Sequence, residues 1–382
     1  MQMEASVRAH TVWWLHVEFA LTGVGTTLLG CILPALIAAW HLKDDRAGLL
    51  FAAQFTGAAL GALLVNRNFM GSVVRGHFLV IASAVSLVFF PGRAQPLLFF
   101  SFGLGLGLTM TATSLLVSSM FTGSRSAALS LLNASWAIGA VLSPAFAFLW
   151  IRHWPPIYLF LVLAAALAIT VIAIGHPRSA FVAGESLAPE MGNAGSLLKL
   201  LFLSTALAFL YVGVEVSVSG WMMTYVHRIP TSSKLWPPIA ASSFWIALVG
   251  GRTLVPTALR WLSEAQLFTS SLAIALVGVV LLLLSHSLPA IVLCVVFAGL
   301  ALGPVFPLCM AKVLHLTKDS PKAKWIFAVP GLGGAFLAWI TGKVSAHDGS
   351  LRAGLMVPAA VLLAMIVLHR FAIGQEFARR NR

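Results

Sequence analysis

The chain has 382 residues, of which 59% are apolar and only 9% charged, with a formal net charge of +13 and a mean hydropathy of +0.95. A soluble domain carries roughly a quarter charged residues, so this composition excludes a soluble enzyme, a disordered tail protein and a disulfide scaffold, and makes lipid the solvent for most of the chain. The basic residues are scattered between apolar runs, with no Lys/Arg block and no basic patch interleaved with aromatics, so the positive charge argues for a membrane and against nucleic acid.

The short polar start, Met1 to His10, leads into an apolar span without a small-residue cleavage site. The first span is therefore expected to stay in the membrane. A helix crossing about 30 Å of hydrocarbon needs roughly 20 residues. Twelve runs qualify, in chain order 12–40, 47–66, 74–91, 95–120, 126–150, 155–175, 197–226, 236–258, 265–285, 288–314, 323–345 and 351–373. Most connections are very short, so consecutive helices run antiparallel. The longest gap, 176–196, is rich in Gly, Pro, Ser and Asn and holds Glu185 and Glu190. The expected plan is all-α and integral to the membrane: a six-helix bundle over 1–175, a cytoplasmic linker over 176–196 and a second six-helix bundle over 197–382.

Orientation follows from Lys and Arg alone. With both termini cytoplasmic, the inner side holds about 16 of the 24 basic residues, from Arg8, Arg67, Arg75, Arg125 and Arg178 through Lys312, Lys318, Lys322 and Lys324 to Arg379, Arg380 and Arg382. The outer side holds about 8, including Lys43, Arg46, Arg152 and Arg228. A multi-pass protein of the plasma membrane is expected, the inner membrane if the cell is prokaryotic.

The two halves resemble each other at an offset of about 190 residues. GVGTTLLG (Gly23 to Gly30) aligns with GVEVSVSG (Gly213 to Gly220), and QFTGAALG (Gln54 to Gly61) with SFWIALVG (Ser243 to Gly250). GLGLGL (Gly103 to Leu108) aligns with GLALGP (Gly299 to Pro304), and WAIGA (Trp136 to Ala140) with GLGGA (Gly331 to Ala335). Each match alone is weak; four in the same order describe parallel six-helix repeats, the plan of a rocker-type secondary transporter. Glycines at these places serve close helix packing.

Twelve spans, a central linker and these glycine patterns resemble the major facilitator superfamily over essentially the whole chain. Within it, YVGVEVSVSGWMMTY (Tyr211 to Tyr225), SSFWIALVGGR (Ser242 to Arg252), GLALGPVFP (Gly299 to Pro307) and GLGGAFLAWITG (Gly331 to Gly342) resemble the branch of fucose and glucose/galactose permeases. That resemblance implies alternating access around a central polar cavity, with a sugar-like solute imported with a proton. Two departures limit it. The loop after span 2 reads GALLVNRNFMG, with Asn66-Arg67 where an acid–Arg pair is expected. Spans 1 and 4 lack the deep acids of the fucose permease, so its coupling residues do not transfer. The Gly-Pro pattern of drug antiporters is absent from span 5, where Ser143-Pro144 is followed by AFAF.

Only Glu18 and Glu215, of the eleven acids, lie within apolar spans. A charge at the bilayer centre costs about 2.5–3.5 kcal/mol on insertion scales, and burial favours the protonated form, as a proton carrier requires. Both are coupling candidates: Glu215 lies deep in span 7, where a structural hydrogen bond to a neighbouring helix is the competing role, while Glu18 lies nearer the cytoplasmic end of span 1 beside His16, where a gate salt bridge competes. Arg252, the deepest basic residue, could answer Glu215, attract an anionic group of the solute, or fasten the inner gate. Asn133 and Trp136 share one face of span 5, Gln54 is in span 2, and Tyr211 and Trp221 flank Glu215. Amides and aromatic rings suit a sugar, whose ring faces stack while its hydroxyls hydrogen-bond, although packing competes as the role of each ring.

Other chemistries find no support. GLGLG (Gly103 to Gly107) mimics a dinucleotide loop but lies in a membrane span, and Gly342-Lys343 lacks the upstream glycine of a phosphate loop. Cys31, Cys294 and Cys309 sit in apolar stretches as reduced thiols. No His pair has metal-ligand spacing. No cofactor or metal is expected, only an ion gradient: protons, with sodium as the alternative. The expected partners are a small-molecule substrate and the bilayer, and the expected state a monomer. Export of drug-like or lipid-like amphiphiles, and a membrane sensor or scaffold that moves nothing, are the alternative functions.

Overall fold

The computed structural model describes residues 2–90, 92, 94–121, 125–174, 194–230, 233–310 and 323–380. The expected linker, 176–196, falls largely outside these residues, as do 311–314 of the tenth expected span and five of the basic residues used for orientation, Arg178, Lys312, Lys318, Lys322 and Arg382. The helices are α1 (Gln2–Trp40), α2 (Asp44–Leu63), α3 (Phe69–Phe89), α4 (Gln95–Met120), α5 (Arg125–Ile151), α6 (Leu159–Ile174), α7 (Ala194–His227), α8 (Trp236–Ala258), α9 (Glu264–Leu284), α10 (Leu288–Leu302), α11 (Ala323–Asp348) and α12 (Met356–Arg380). A 3-10 turn, Pro156–Tyr158, leads into α6, and a separate helical turn, Leu351–Gly354, leads into α12. Among the described residues, 11 helices are long and apolar enough to cross a membrane. The remaining helix, α11, runs for 26 residues.

Local chemistry sets the helix ends. Ser263 and Gln266 form a reciprocal capping box at the start of α9, which satisfies two N–H groups that a helix start leaves without partners. Asn68 caps α3 by accepting from the Gly71 N–H. That helix begins at Phe69, five residues before the expected span at 74. Proline stands in the first turn of α4, α8 and α10, where its missing N–H costs nothing.

The chain divides into two compact units, one made of residues 1–41 and 53–185, the other of 42–52 and 186–382. The division differs from the sequence-derived boundaries in placing the first turns of α2 with the second unit. In the first unit α1 packs on α5 and α6, and α3 on α4 and α6; in the second, α7 packs on α11 and α12, and α9 on α10 and α12. The second set is the first moved on by six helices, so the repeat is one of packing as well as of letters.

Glycine contacts give that repeat its register. A Cβ on Gly103 or Gly107 of α4 would land on the carbonyl of Gln54 or Ala58 in α2; one on Gly61 would land on that of Leu104. In the second unit a Cβ on Gly299, Gly303 or Gly251 would meet the carbonyls of Phe244, Leu248 and Leu300. Glycine is required at these points because two backbones touch, the packing that holds helices together where lipid removes the hydrophobic drive. These contacts also correct one alignment: the partner of Gly61 is Gly251, not Gly250, whose Cβ would meet only the Leu300 side chain at 3.7 Å. Aromatic packing fills the rest. Phe99 and Phe102 meet Phe160 edge-on at 5.6 and 5.1 Å in the first unit, and Phe244 meets Trp245 at 5.5 Å in the second.

Candidate functional site

Glu215 falls near the middle of the membrane-length stretch Leu201–His227 of α7. Tyr211, four residues earlier, lies on the same face of the helix. Arg252, in the second half of α8, donates from Nη2 to Glu215 Oε2 at 3.3 Å and to the Tyr211 hydroxyl at 3.5 Å. Its guanidinium carbon lies 5.9 Å from the centre of the Phe306 ring, which itself packs on the Tyr211 ring at 5.7 Å. Gly303 lets the two helices approach here: α10 pauses at Gly303-Pro304 and resumes over 305–310, and a Cβ at Gly303 would lie 2.6 Å from the backbone nitrogen of Arg252.

The cluster is shielded without being sealed, with the Arg252 and Glu215 side chains 22% and 11% exposed. Its ion pair rests on a single, rather long bond, and the buried Nε of Arg252 has no hydrogen-bond partner among the described residues. A second arginine of the same unit shows the contrast. Arg228 grips Asp44 with both terminal nitrogens, at 2.7 and 2.5 Å, while Ser345 donates to the same carboxylate at 2.5 Å. Such two-pronged pairs are the strong ones. The Asp44 pair has this two-pronged geometry, and the Glu215 pair does not.

Glu18 of α1 has different company. It is fully buried, and Thr113 of α4 donates to its Oε2 at 3.0 Å. Its Oε1, with no hydrogen-bond partner, faces the equally unpartnered Nε2 of His77 in α3 at 3.9 Å. His77 Nδ1 lies 2.8 Å from the Val73 carbonyl, an acceptor, so Nδ1 carries the hydrogen. In a neutral ring Nε2 is then an acceptor facing a second acceptor. A single proton, on either group, makes the pair complementary. The other nearby titratable side chain of α1, His16, turns to Ser135 of α5 at 2.8 Å.

The expected site residues thus separate. Glu215, Arg252 and Tyr211 come together. Trp221, on the same helix, is fully buried and donates to the Ala338 carbonyl at 3.0 Å, with its ring 5.8 Å from that of Phe51. Gln54 donates across to the Thr26 carbonyl at 3.1 Å. Asn133 is exposed and bonds to its own helix at Leu129 O, 2.9 Å away. Trp136 is half-buried, with its carbonyl where a Cβ on Gly23 would fall. Sequence reasoning missed His77, Thr113 and Phe306. A histidine inside the apolar run of α3 was a signal for the first, and the Gly-Pro break before Phe306 for the last; nothing in the sequence marked Thr113.

The Major Facilitator Superfamily model matches residues 19–324. Bypass of stop codon protein 6 of Saccharomyces cerevisiae is 22% identical, the match covering 86% of this chain and 76% of that protein. The fold is shared with the Escherichia coli fucose:proton symporter FucP, at a TM-score of 0.63 and 16% identity over 94% of this chain and 98% of that one. It is also shared with a proton dependent oligopeptide transporter, at 0.75 and 12% over 98% and 100%. With the model spanning most of the sequence, and packing repeated at six-helix intervals, this chain belongs to the Major Facilitator Superfamily and is a membrane transporter, not an enzyme.

Proposed function

We propose that this chain is a proton-coupled symporter that imports a small, sugar-like solute by alternating access, with solute and proton meeting at Glu215, Arg252 and Tyr211. The observation that carries the reading is the loose, single-bonded Arg252–Glu215 pair near the middle of a membrane helix. Two charges there are costly, and a structural role alone would favour the two-pronged geometry that Arg228 and Asp44 adopt. A proton on Glu215 weakens its hold on the guanidinium and frees those donors for solute. Binding of proton and solute then becomes cooperative, because each lowers the cost of the other. The similarity in fold to a fucose:proton symporter and to a proton dependent oligopeptide transporter supports proton coupling, and the permease-like stretches around Tyr211 support a sugar-like solute. The Lys/Arg bias supports cytoplasmic termini, and the proposed location is a plasma membrane.

The test is transport by purified protein in liposomes. Under an inward proton gradient the wild type accumulates solute, while a sodium gradient of equal size drives nothing. Glu215→Gln keeps solute exchange across the membrane and loses accumulation. Unchanged accumulation by that variant removes Glu215 from the coupling step.

A further inference from the structure

We infer that the solute carries a carboxylate, so that the transported species is a small sugar-acid-like monoanion and not a neutral sugar. This rests on the proposed coupling role of Glu215 and deepens it. Among the described residues, Glu215 is the only acid that pairs with Arg252; its other contacts, the Tyr211 hydroxyl and the Phe306 ring, are neutral. Protonation of Glu215 therefore leaves a shielded guanidinium without a counter-charge, an expensive state. Hydroxyl groups of a neutral sugar would satisfy its N–H groups and leave its charge uncompensated. A carboxylate does both.

The guanidinium is also prepared for such a ligand. Among the described residues, Nε carries a hydrogen that meets no acceptor, while Nη2 donates bonds of 3.3 and 3.5 Å. A planar oxyanion takes adjacent N–H groups of one arginine together, a geometry that Glu215 does not reach here. The half-buried Phe306 ring beside the guanidinium offers an apolar face to the rest of the solute.

Charge balance gives the proposal its own signature. The empty site holds one positive and one negative group. The loaded site holds arginine, neutral Glu215 and a monoanion, so it too has no net charge. Co-transport of one monoanion with one proton is electroneutral, whereas a neutral sugar moving with a proton carries one positive charge inward.

The experiment compares D-galacturonate with D-galactose in liposomes containing the full chain. Uptake of galacturonate driven by a pH gradient, and unaffected by a potassium–valinomycin potential, is expected. Galactose uptake that rises with an inside-negative potential, with no galacturonate uptake, overturns the inference while leaving proton coupling at Glu215 intact. Loss of the Glu215 requirement sinks the underlying reading instead. A second measurement needs no knowledge of the solute. Glu215→Gln leaves Arg252 uncompensated, so formate should raise its Tm by several degrees relative to formamide at equal concentration. The rise should vanish in Glu215→Gln/Arg252→Gln. An equal response of both variants to formate would overturn the inference.

Discussion

Glu18 and Glu215 stand on corresponding helices of the repeat, α1 and α7, yet solve the problem of a buried acid in opposite ways. Glu18 is sealed from solvent and faces hydrogen-bonding groups, Thr113 and His77, with no arginine or lysine paired to it among the described residues. Glu215 keeps a little exposure and faces a permanent cation. Aligning Gly23 with Gly213 puts Gly25 opposite Glu215, and a Cβ on Gly25 would first meet the side chains of Leu106, Leu163 and Phe102. The repeat thus supplies the scaffold to both units and the chemistry to neither. The two buried acids stand on matching helices at different depths.

The largest effect expected from this contrast belongs to the charged pair. Arg252→Met removes the cation that Glu215 was buried against and should cost about 3 kcal/mol, the low end for breaking a buried pair because Glu215 keeps a little exposure. Adding Glu215→Gln should restore most of that loss. Unfolding of both variants in mixed micelles measures the difference, and an equally unstable double variant would show that Arg252 acts by packing on Phe306 and not by charge. Thr113→Val comes next. It leaves Glu18 Oε2 buried without its donor and should cost about 1–3 kcal/mol, the penalty for an unsatisfied polar group.

The sequence made these helices legible and their rotations much less so. Apolar-run length located the twelve spans, and a four-residue spacing put Tyr211 and Glu215 on one face. The same arithmetic argues against Trp221. Six residues at about 100° each carry it about 240° around the helix, away from Glu215. There it meets Phe51 and the Ala338 carbonyl instead. His77, Thr113 and Phe306 were out of reach for a related reason. A membrane helix is apolar nearly all round, so hydropathy does not reveal which side faces a neighbour, and partners contributed by three separate helices leave no spacing to find. The adjacent glycines Gly250 and Gly251 misled for the opposite reason, since only backbone contact with Leu300 tells them apart.

Glu18→Gln should disturb stability by less than about 1 kcal/mol, in contrast to Arg252→Met, because the amide oxygen still accepts from Thr113 and the amide N–H can donate to His77 Nε2. A loss as large as that of Arg252→Met would mean that His77 is charged in the folded protein and that the two acid sites are alike after all.

The smallest effect, and the finest test of the contrast, is Tyr211→Phe. The phenyl ring keeps its packing on Phe306, and the lost bond is a 3.5 Å contact from Arg252, so stability should change by less than about 1 kcal/mol. Transport should respond more, because in the proposed mechanism the hydroxyl helps to hold the guanidinium during proton exchange at Glu215. The expected result is a several-fold rise in the solute concentration for half-maximal uptake, with little change in maximal rate. Unchanged uptake would confine the functional cluster to the charged pair, and a large loss of stability would make Tyr211 a packing residue like Trp221.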